Sequence, residues 1–471
     1  MVQGAGGLEE NMPRRGRKER DPEDSEPKLA KRDEADPKSP LDFSTPEKLF
    51  ESLISPVTSD TFFRDYWETK PLLLQGRDPA FAAYYQTLFR LLDLKHIAGG
   101  SIYYERDVNV FKCKDGKKIS LPRHGKATYL HLLKDFGSGK ATIQFHQPQR
   151  FNDALWHIIE KLECFFGALV GSNIYITPQD SQGLPAHYDD VEVFILQLEG
   201  EKRWRLYSPV VPLARDYSVV PEDQIGSPTH DFVLKPGDLL YFPRGVIHQA
   251  QALPGSSHST HVTISTYQNN SWSDYLQDLL PGILFDAAKE NIDLRRGIPR
   301  QQMLSMDTPG VAQQLSSLLT TVVKGLESHR HIRSFEMLRD FMGSRLPPFL
   351  DNKEPGQTTG MPPKLHSAAQ LLYRDYAFFT VDHIAEESNA AAELVVYVYH
   401  SLKNSRETHM MGMQDEERPV TGLRFPLPYV SALKQIWESE SVCIGKLPLE
   451  RDEDKENLAL SLWTEGLLAV V

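Results

Sequence analysis

The feature that most limits how this chain can fold is the stretch 172–269, which has the texture of a β-sheet protein. Short runs rich in Val, Ile, Tyr and Phe alternate there with turn signals at Glu199-Gly200, Pro236-Gly237 and Pro243–Gly245. Short strands separated by such turns pair with their neighbours and close into a sandwich or a barrel. The sequence therefore predicts an antiparallel β core in the middle of the chain.

Helical patterns lie on both sides of this core. Apolar residues recur at helical spacing before it, as in "DALWHIIEKLECFFG", and again after it in residues 311–346. A turn-rich linker, "DNKEPGQTTGMPPK", follows at 351–364, and the remaining residues mix strands with helices. Because 471 residues exceed what one hydrophobic core normally serves, we predict an α+β protein of several domains.

The first 40 residues differ in composition from the rest of the chain. Nineteen of them are charged and none is aromatic, so this segment lacks the apolar surface that a folded core requires. Two basic clusters, "PRRGRKER" at 13–20 and "KLAKR" at 28–32, flank an acidic spacer. This arrangement predicts a disordered charged tail with a two-part nuclear localisation signal. The alternative is a solvated tail that has no import role.

Overall charge and cysteine content restrict the partners of the chain. A net charge of −12 argues against unspecific binding to nucleic acid. The three cysteines (Cys113, Cys164 and Cys443) are odd in number and form no CxxC pair, which favours a reducing compartment over a disulfide framework or a zinc cluster. No apolar run has membrane-spanning length, so we expect no membrane partner.

A candidate metal site lies at the start of "LPAHYDDVEVFILQLEGEKRWRLY", residues 184–207. His187 and Asp189 are two residues apart, and on a strand they would share a face. A third ligand, His248, comes in "LKPGDLLYFPRGVIHQA" after a turn, a buried strand and a second turn. Two imidazoles and one carboxylate suit non-haem Fe(II) and leave positions open for a cosubstrate and oxygen. His258 and His261 compete for the third place, but they lie beyond this turn-strand-turn unit.

Two further strands carry polar side chains in alternation. In "SNIYITP", Asn173, Tyr175 and Thr177 share one face, and "HVTISTY" repeats the pattern with His261, Thr263, Ser265 and Tyr267. Such rows commonly face water, but beside a metal triplet they predict a barrel with a polar interior.

Lys202 adds a second kind of evidence for a ligand inside this barrel. It heads a strand face that continues with Trp204 and Leu206, so an otherwise apolar row begins with a charge. A buried lysine needs an anionic partner. A dicarboxylate cosubstrate would supply that partner.

These motifs resemble the JmjC-type Fe(II)/2-oxoglutarate oxygenases. The likeness rests on "LPAHYDDVEVFILQLEGEKRWRLY", "PGDLLYFPRGVIHQA" and "HVTISTYQNN", while "TFFRDYWETKPLLLQ", "ATIQFHQPQRF", "GSNIYITP" and "SLKNSRETHMMG" resemble the ribosomal oxygenases of that group. The resemblance implies a double-stranded β-helix (a jelly-roll, cupin-like core), a helical dimerisation region and a C-terminal winged-helix-like domain. The predicted boundaries are 1–40 for the tail, 41–279 for the JmjC oxygenase domain with its β-helix at about 147–279, 280–350 for the helical dimerisation region, 351–367 for the linker and 368–471 for the winged-helix-like domain.

The same resemblance implies a role for each site residue. It implies iron ligands at His187, Asp189 and His248, and it places Lys202 on the distal carboxylate of 2-oxoglutarate with Thr263 as a helper. Asn173 corresponds to a residue near the metal-bound end of the cosubstrate. Tyr175 and Ser265 resemble the pair that orients the substrate imidazole. The implied cofactors are Fe(II), 2-oxoglutarate and O2.

The implied function is hydroxylation of a histidine in a large-subunit ribosomal protein, by a nuclear and nucleolar enzyme of ribosome biogenesis. One alternative is a histone lysine demethylase acting on a methylated histone H3 tail on chromatin. Another is a binding module that uses the C-terminal domain to contact protein or nucleic acid, although the acidic runs "QDEER" and "ERDEDKE" argue against nucleic acid. We also expect a homodimer, with Leu315, Leu319 and Val322 at or beside the contact.

Overall fold

The computed structural model describes residues 38–255, 257–300, 302–304, 310–326, 335–350, 358, 360–383, 394–412 and 422–471. Nearly all of the predicted charged tail, with both basic clusters of the localisation signal, lies outside the described residues. The first part of the predicted linker and the acidic run "QDEER" also lie outside them. Within the described ranges we find no helix whose apolar stretch would traverse a lipid bilayer.

The part of the chain before the β core is mostly helical, and side-chain caps begin several of its helices. Thr45 accepts from the Lys48 amide at the start of the first helix, and Asn152 accepts from the Leu155 amide at the start of the sixth. The elements are α1 Pro46–Ile54, α2 Ser59–Asp65, β1 Leu72–Leu74, α3 Pro79–Leu88, α4 Asp93–Ile97, β2 Val108–Lys114, β3 Lys117–Ser120, α5 Tyr129–Gly137, β4 Thr142–His146 and α6 Asp153–Phe166.

The predicted β core is present between residues 170 and 266. Its strands are β5 Val170–Pro178, β6 His187–Tyr188, β7 Glu192–Glu199, β8 Lys202–Tyr207, β9 Ser218–Val219, β10 His230–Leu234, β11 Leu239–Phe242, β12 Ile247–Ala252 and β13 His258–Thr266. The turn between β7 and β8 falls at the predicted Glu199-Gly200 pair, where Gly200 has a positive φ of 61°.

These strands form two antiparallel sheets. The larger sheet has the order β1-β11-β7-β13-β5-β4-β2-β3, and the smaller one has the order β10-β8-β12-β6-β9. Side chains of both sheets line one internal cavity, so the sheets face each other as in the predicted double-stranded β-helix. The larger sheet also takes up strands from residues 72–146, before the position where the β-helix was predicted to begin.

The main hydrophobic core lies between the larger sheet and the N-terminal helices. Phe50 of α1 is fully buried, and its ring stacks on Phe165 of α6 with 4.3 Å between ring centroids. It also meets Phe62 and Phe194 edge to face. Burial of such large aromatic side chains fixes α1, α2 and α6 on one face of the sheet.

Helices follow the β core, and a C-terminal region of both strands and helices follows these helices. A capping box between Ser271 and Asp274 begins α7 Trp272–Glu290, and α8 Ile292–Arg295, α9 Val311–Leu326 and α10 Phe335–Ser344 come next. The C-terminal elements are β14 Ala368–Leu371, β15 Ala377–His383, β16 Leu394–His400, β17 Gly422–Pro426, α11 Val430–Glu438, β18 Val442–Cys443, α12 Asp452–Thr464 and β19 Leu468–Val470. They form two antiparallel sheets, β18-β14-β19 and β15-β16-β17, over a second hydrophobic core.

Candidate active site

Three side chains that can bind a metal ion meet where β6 and β12 pair. His187 and His248 are direct partners across the two strands, and Asp189 follows one residue after the end of β6. Nε2 of His187 lies 3.9 Å from Oδ1 of Asp189, and Nε2 of His248 lies 3.5 Å from Oδ2. The potential ligand atoms all lie within 4.8 Å of one another. The structure thus brings together the three residues that the sequence predicted as ligands.

Backbone carbonyls fix the tautomer of both histidines. Nδ1 of His187 lies 2.8 Å from the Pro185 carbonyl oxygen, and Nδ1 of His248 lies 3.0 Å from the Val246 carbonyl oxygen. A carbonyl only accepts, so each Nδ1 carries a proton, and in the neutral imidazole the lone pair is then on Nε2. Both lone pairs are therefore available to a metal ion, which is the usual arrangement for a metal-binding imidazole.

Burial disfavours charge on these groups as long as no cation is bound. It lowers the pKa of His248 well below its usual value, with a further contribution from nearby His187. Burial also raises the pKa of Asp189, and the nearby His187 partly offsets this rise. A bound metal ion would favour the charged form of the Asp189 carboxylate, and it binds only neutral imidazoles. The pKa shifts of the cluster are therefore those expected of a metal-binding site.

The two rival histidines have other roles. His258 pairs with Glu199, with 3.1 Å between Nε2 and Oε2. His261 is buried against the ring of Tyr175, with 5.1 Å between centroids, and its Nδ1 lies 3.4 Å from Nζ of Lys202. His261 lines the same cavity as the three predicted ligands, but it does not belong to the cluster of potential ligand atoms.

Lys202 is buried and lines the same cavity as the three potential ligands. Its Nζ donates to Oγ1 of Thr177 at 3.1 Å and lies over the ring of Trp204 at 5.9 Å from the centroid. Among the described residues, no carboxylate lies within ion-pairing distance of Nζ. Burial therefore lowers the pKa of Lys202 to about 7. A buried ammonium group of this kind favours the binding of an anionic ligand beside it.

The three potential metal ligands and Lys202 line one small cavity of about 60 Å³, which we call the metal cavity. Six of the eight predicted site residues line it: Tyr175, His187, Asp189, Lys202, His248 and Thr263. Asn173 and Ser265 lie outside this set. The amide oxygen of Asn173 lies 2.9 Å from Nδ1 of His146, whose Nε2 lies 2.9 Å from Nδ2 of Asn109.

Ser265 lines a second, larger cavity of about 950 Å³, which we call the outer cavity. Val191, Thr266 and Tyr267 line it from the β core, and residues of α10 and of the segment 410–412 also line it. Ser265 is two residues beyond Thr263 on β13, so the outer cavity adjoins the metal cavity along one strand face. Tyr175 and Ser265, predicted as a pair, thus line adjacent cavities.

Sequence reasoning missed the partners of the key side chains. Thr177, His261 and Trp204 surround Lys202, and Gln144 donates to the Tyr175 hydroxyl at 2.9 Å. The alternation of polar residues places Thr177 and His261 on the interior face. Only the cross-strand register, in which His261 lies opposite Tyr175, brings that face to Lys202.

Comparisons with known proteins agree with this geometry. A JmjC domain model matches residues 144–271, and a ROXA-like winged helix model matches residues 328–434. Ribosomal oxygenase 2 of Rattus norvegicus is 57% identical over 92% of this chain and 94% of its own length. Ribosomal oxygenase 1 of Homo sapiens is 34% identical over 89% of this chain and 67% of its own length.

A third relative carries two activities in its name. The "bifunctional lysine-specific demethylase and histidyl-hydroxylase NO66" of Culex quinquefasciatus is 33% identical over 89% of this chain and 66% of its own length. The solved structure of Escherichia coli ycfD covers 88% of this chain and 98% of its own chain, at 15% identity and a TM-score of 0.44.

Proposed function

This chain belongs to the ribosomal oxygenases, which are JmjC-type Fe(II)- and 2-oxoglutarate-dependent dioxygenases, and we propose that it hydroxylates a histidine side chain of a large-subunit ribosomal protein in ribosome biogenesis. The observation that carries the proposal is one cavity lined by His187, Asp189, His248 and Lys202. A metal site and a buried cation in the same small space match an oxygenase that binds an anionic cosubstrate.

The residues present fit both groups. Two imidazoles whose Nδ1 atoms bond to backbone carbonyls and one carboxylate are the donor set that suits non-haem Fe(II). The ammonium of Lys202, joined by the hydroxyl of Thr177, suits the distal carboxylate of 2-oxoglutarate. When bound, iron and 2-oxoglutarate would supply the electrons that activate O2 for attack on a C–H bond.

The protein's own residues position the substrate and exclude water. The buried apolar side chains of Val193, Ile195 and Trp204 form part of the cavity wall and limit the access of water. We assign Tyr175, held by Gln144, and Ser265, at the junction with the outer cavity, to the orientation of the target imidazole. We assign Thr263 and Asn173 to the cosubstrate. The name of the Culex relative includes histidyl hydroxylation, beside lysine demethylation.

Mass spectrometry of large-subunit ribosomal proteins tests this function. The proteins are incubated with the enzyme, Fe(II), 2-oxoglutarate and O2, and we expect the mass of one oxygen atom to be added on a histidine. His248→Ala, which removes one of three protein ligands, serves as the inactive control. Loss of a methyl group from a methylated histone H3 tail, without histidine oxidation, would contradict the proposal and favour the demethylase.

Two further properties belong to the same proposal. The enzyme acts as a homodimer, which is supported by the exposed apolar side chains Trp272 and Phe285 of α7 and Leu315 and Leu319 of α9. It works in the nucleus and nucleolus, which is supported by the basic clusters at 13–20 and 28–32. Fusion of residues 1–40 to a fluorescent protein tests the second property, since a signal that stays cytoplasmic would contradict it.

A further inference from the structure

The segment 404–412 brings a fully buried histidine against the oxygenase core. The side chain of His409 is 0% exposed, as is that of Glu163 on α6, and 2.9 Å separates Nε2 of the histidine from Oε1 of the glutamate. On the other side of the ring, Nε2 of Gln149 donates to Nδ1 at 2.9 Å. Both ring nitrogens are therefore used, with the Nε2 proton directed at the carboxylate.

Glu163 and Gln149, the two partners of His409, make further hydrogen bonds to strand β5 and to the residues after α10. The Glu163 carboxylate also accepts from the Val170 amide at the start of β5 and from the Leu346 amide just after α10. Gln149 accepts from the Ser172 hydroxyl at 2.6 Å, and Ser172 is part of β5. One imidazole thus joins α6, the residues after α10 and the strand that carries Asn173 and Tyr175.

The residue after His409 lies in the outer cavity. Met410 has a positive φ of 57°, and it lines this cavity together with Met411 and Gly412. Its Cε lies so near Gly171 that a β-carbon on that glycine would come within 3.4 Å of it. Gly171 is the direct cross-strand partner of Ser265. Met410 therefore packs on the backbone opposite the serine that faces the outer cavity.

The rest of the segment is anchored in the same direction. Nε of Arg406 donates to the Gln149 carbonyl at 2.6 Å, and its guanidinium pairs with Asp153. Nδ2 of Asn404 donates to the carbonyls of Met342 and Arg345. These hydrogen bonds hold the segment 404–412 against the core. His409 in turn fixes the position of Met410, which lines the outer cavity.

We propose that His409 is a positioning residue for the protein substrate, which holds Met410 and Met411 as the wall of the outer cavity facing Ser265. The inference rests on the proposed function and adds to it that the C-terminal part of the chain shapes the substrate site. Loss of the imidazole leaves Glu163 and Gln149 buried without their partner, so the segment shifts to solvate them. A wall that moves weakens binding of the protein substrate and leaves Lys202 and Thr177, which line the small cavity and not the outer one, as they were.

The test uses the full chain and total protein of the large ribosomal subunit as the probe, with succinate formation as the readout. His409→Ala is expected to raise the apparent KM for this protein about tenfold, the equivalent of one lost buried hydrogen bond. The kcat and the KM for 2-oxoglutarate should remain within about twofold of wild type, a difference below 0.5 kcal/mol. His409→Gln retains a donor toward Glu163 and should restore most of the lost affinity.

A matched control comes from the same part of the chain. His400 is also fully buried, its Nε2 lies 3.2 Å from Oε2 of Glu465, and it does not line the outer cavity. His400→Ala should leave the KM for the protein substrate unchanged. Met410→Ala, which keeps every bond of His409, should raise that KM even if His409→Ala fails to fold.

Three results would overturn the inference. They are an unchanged KM in both His409→Ala and Met410→Ala, an equal rise of KM in His400→Ala, and a loss confined to kcat. Failure of the proposed function looks different, because wild-type enzyme would then form no succinate in response to large-subunit protein, and the inference would fall with it.

Discussion

The side chain with the most informative environment is Lys202. It is an ammonium group buried beside Thr177 and His261, and burial lowers its pKa to about 7. Below pH 7 the group is charged in the folded protein, and above pH 7 it is neutral. A carboxylate binds the charged form, so 2-oxoglutarate binding above pH 7 requires the uptake of one proton.

Affinity for 2-oxoglutarate should therefore fall as pH rises above 7. We expect the Kd to increase by about tenfold per pH unit between pH 7.5 and 9, as linkage to one proton requires. Lys202→Arg should be almost independent of pH in this range because guanidinium stays charged, although its wider fork restores affinity only in part. Lys202→Ala should bind ~30-fold or more weakly, since a buried charge pair is lost.

Calorimetric titration of the Mn(II)-loaded protein with 2-oxoglutarate measures these constants without turnover. A wild-type Kd that does not change between pH 7.5 and 9, or a Lys202→Ala variant with wild-type affinity, would mean that another group holds the distal carboxylate.

At the scale of the secondary-structure elements, the turn between β7 and β8 leaves no room for a side chain at its glycine. Gly200 adopts a left-handed conformation with φ of 61°, and a β-carbon there would overlap the His258 carbonyl oxygen of β13. The turn therefore passes directly against a neighbouring strand. Lys202 is two residues further on, so the same turn also sets the start of the strand that carries the lysine.

Gly200→Ala should destabilise the protein by more than the about 1–2 kcal/mol that a left-handed alanine costs, because the clash with His258 forces the backbone to move. Gly226→Ala is the matched control, since Gly226 has φ of 70° and a β-carbon added to it would meet nothing within 4 Å. Urea unfolding followed by tryptophan fluorescence compares the two variants. Equal losses would show that the contact with His258 contributes nothing.

At the scale of the molecule, the helices after the β core leave several large apolar side chains in solvent among the described residues. Leu315 is 53% exposed and Leu319 is 50% exposed on α9, whereas Val322 of the same helix is 3% exposed and packs inside the chain. The apolar stripe on α9 therefore has an inner part and an outer part. The outer part is what a second copy of the chain would cover in an isologous dimer.

Light scattering should give wild-type protein a mass of twice the 53.5 kDa of one chain. The double substitution Leu315→Asp and Leu319→Asp should give single chains, because the dimer would bury two unpaired charges in each copy. Leu130→Asp, at a 77% exposed position of α5, is the control that should stay dimeric. A wild-type mass of one chain, or a dimeric double variant, would contradict this placement.

Much of the site follows from local sequence alone. The strand signals around Glu199-Gly200 and Pro236-Gly237 predict the β core, because turns and alternation are properties of neighbouring residues. His187, Asp189 and His248 are predictable as ligands since a short turn-strand-turn unit returns the chain to the same sheet. Lys202 is recognisable as the one charge in an apolar row.

Contacts between distant residues depend on how the elements pack, and no local pattern encodes them. Thr177 and His261 reach Lys202 because β5 and β13 lie opposite β8 across the cavity. Ser265 lines the outer cavity, whereas Thr263, two residues earlier on the same strand, lines the cavity of the metal ligands. The bond between Glu163 and His409 spans 246 residues of sequence, and it exists because burial of two hydrophobic cores brings both polar groups together where water cannot satisfy them.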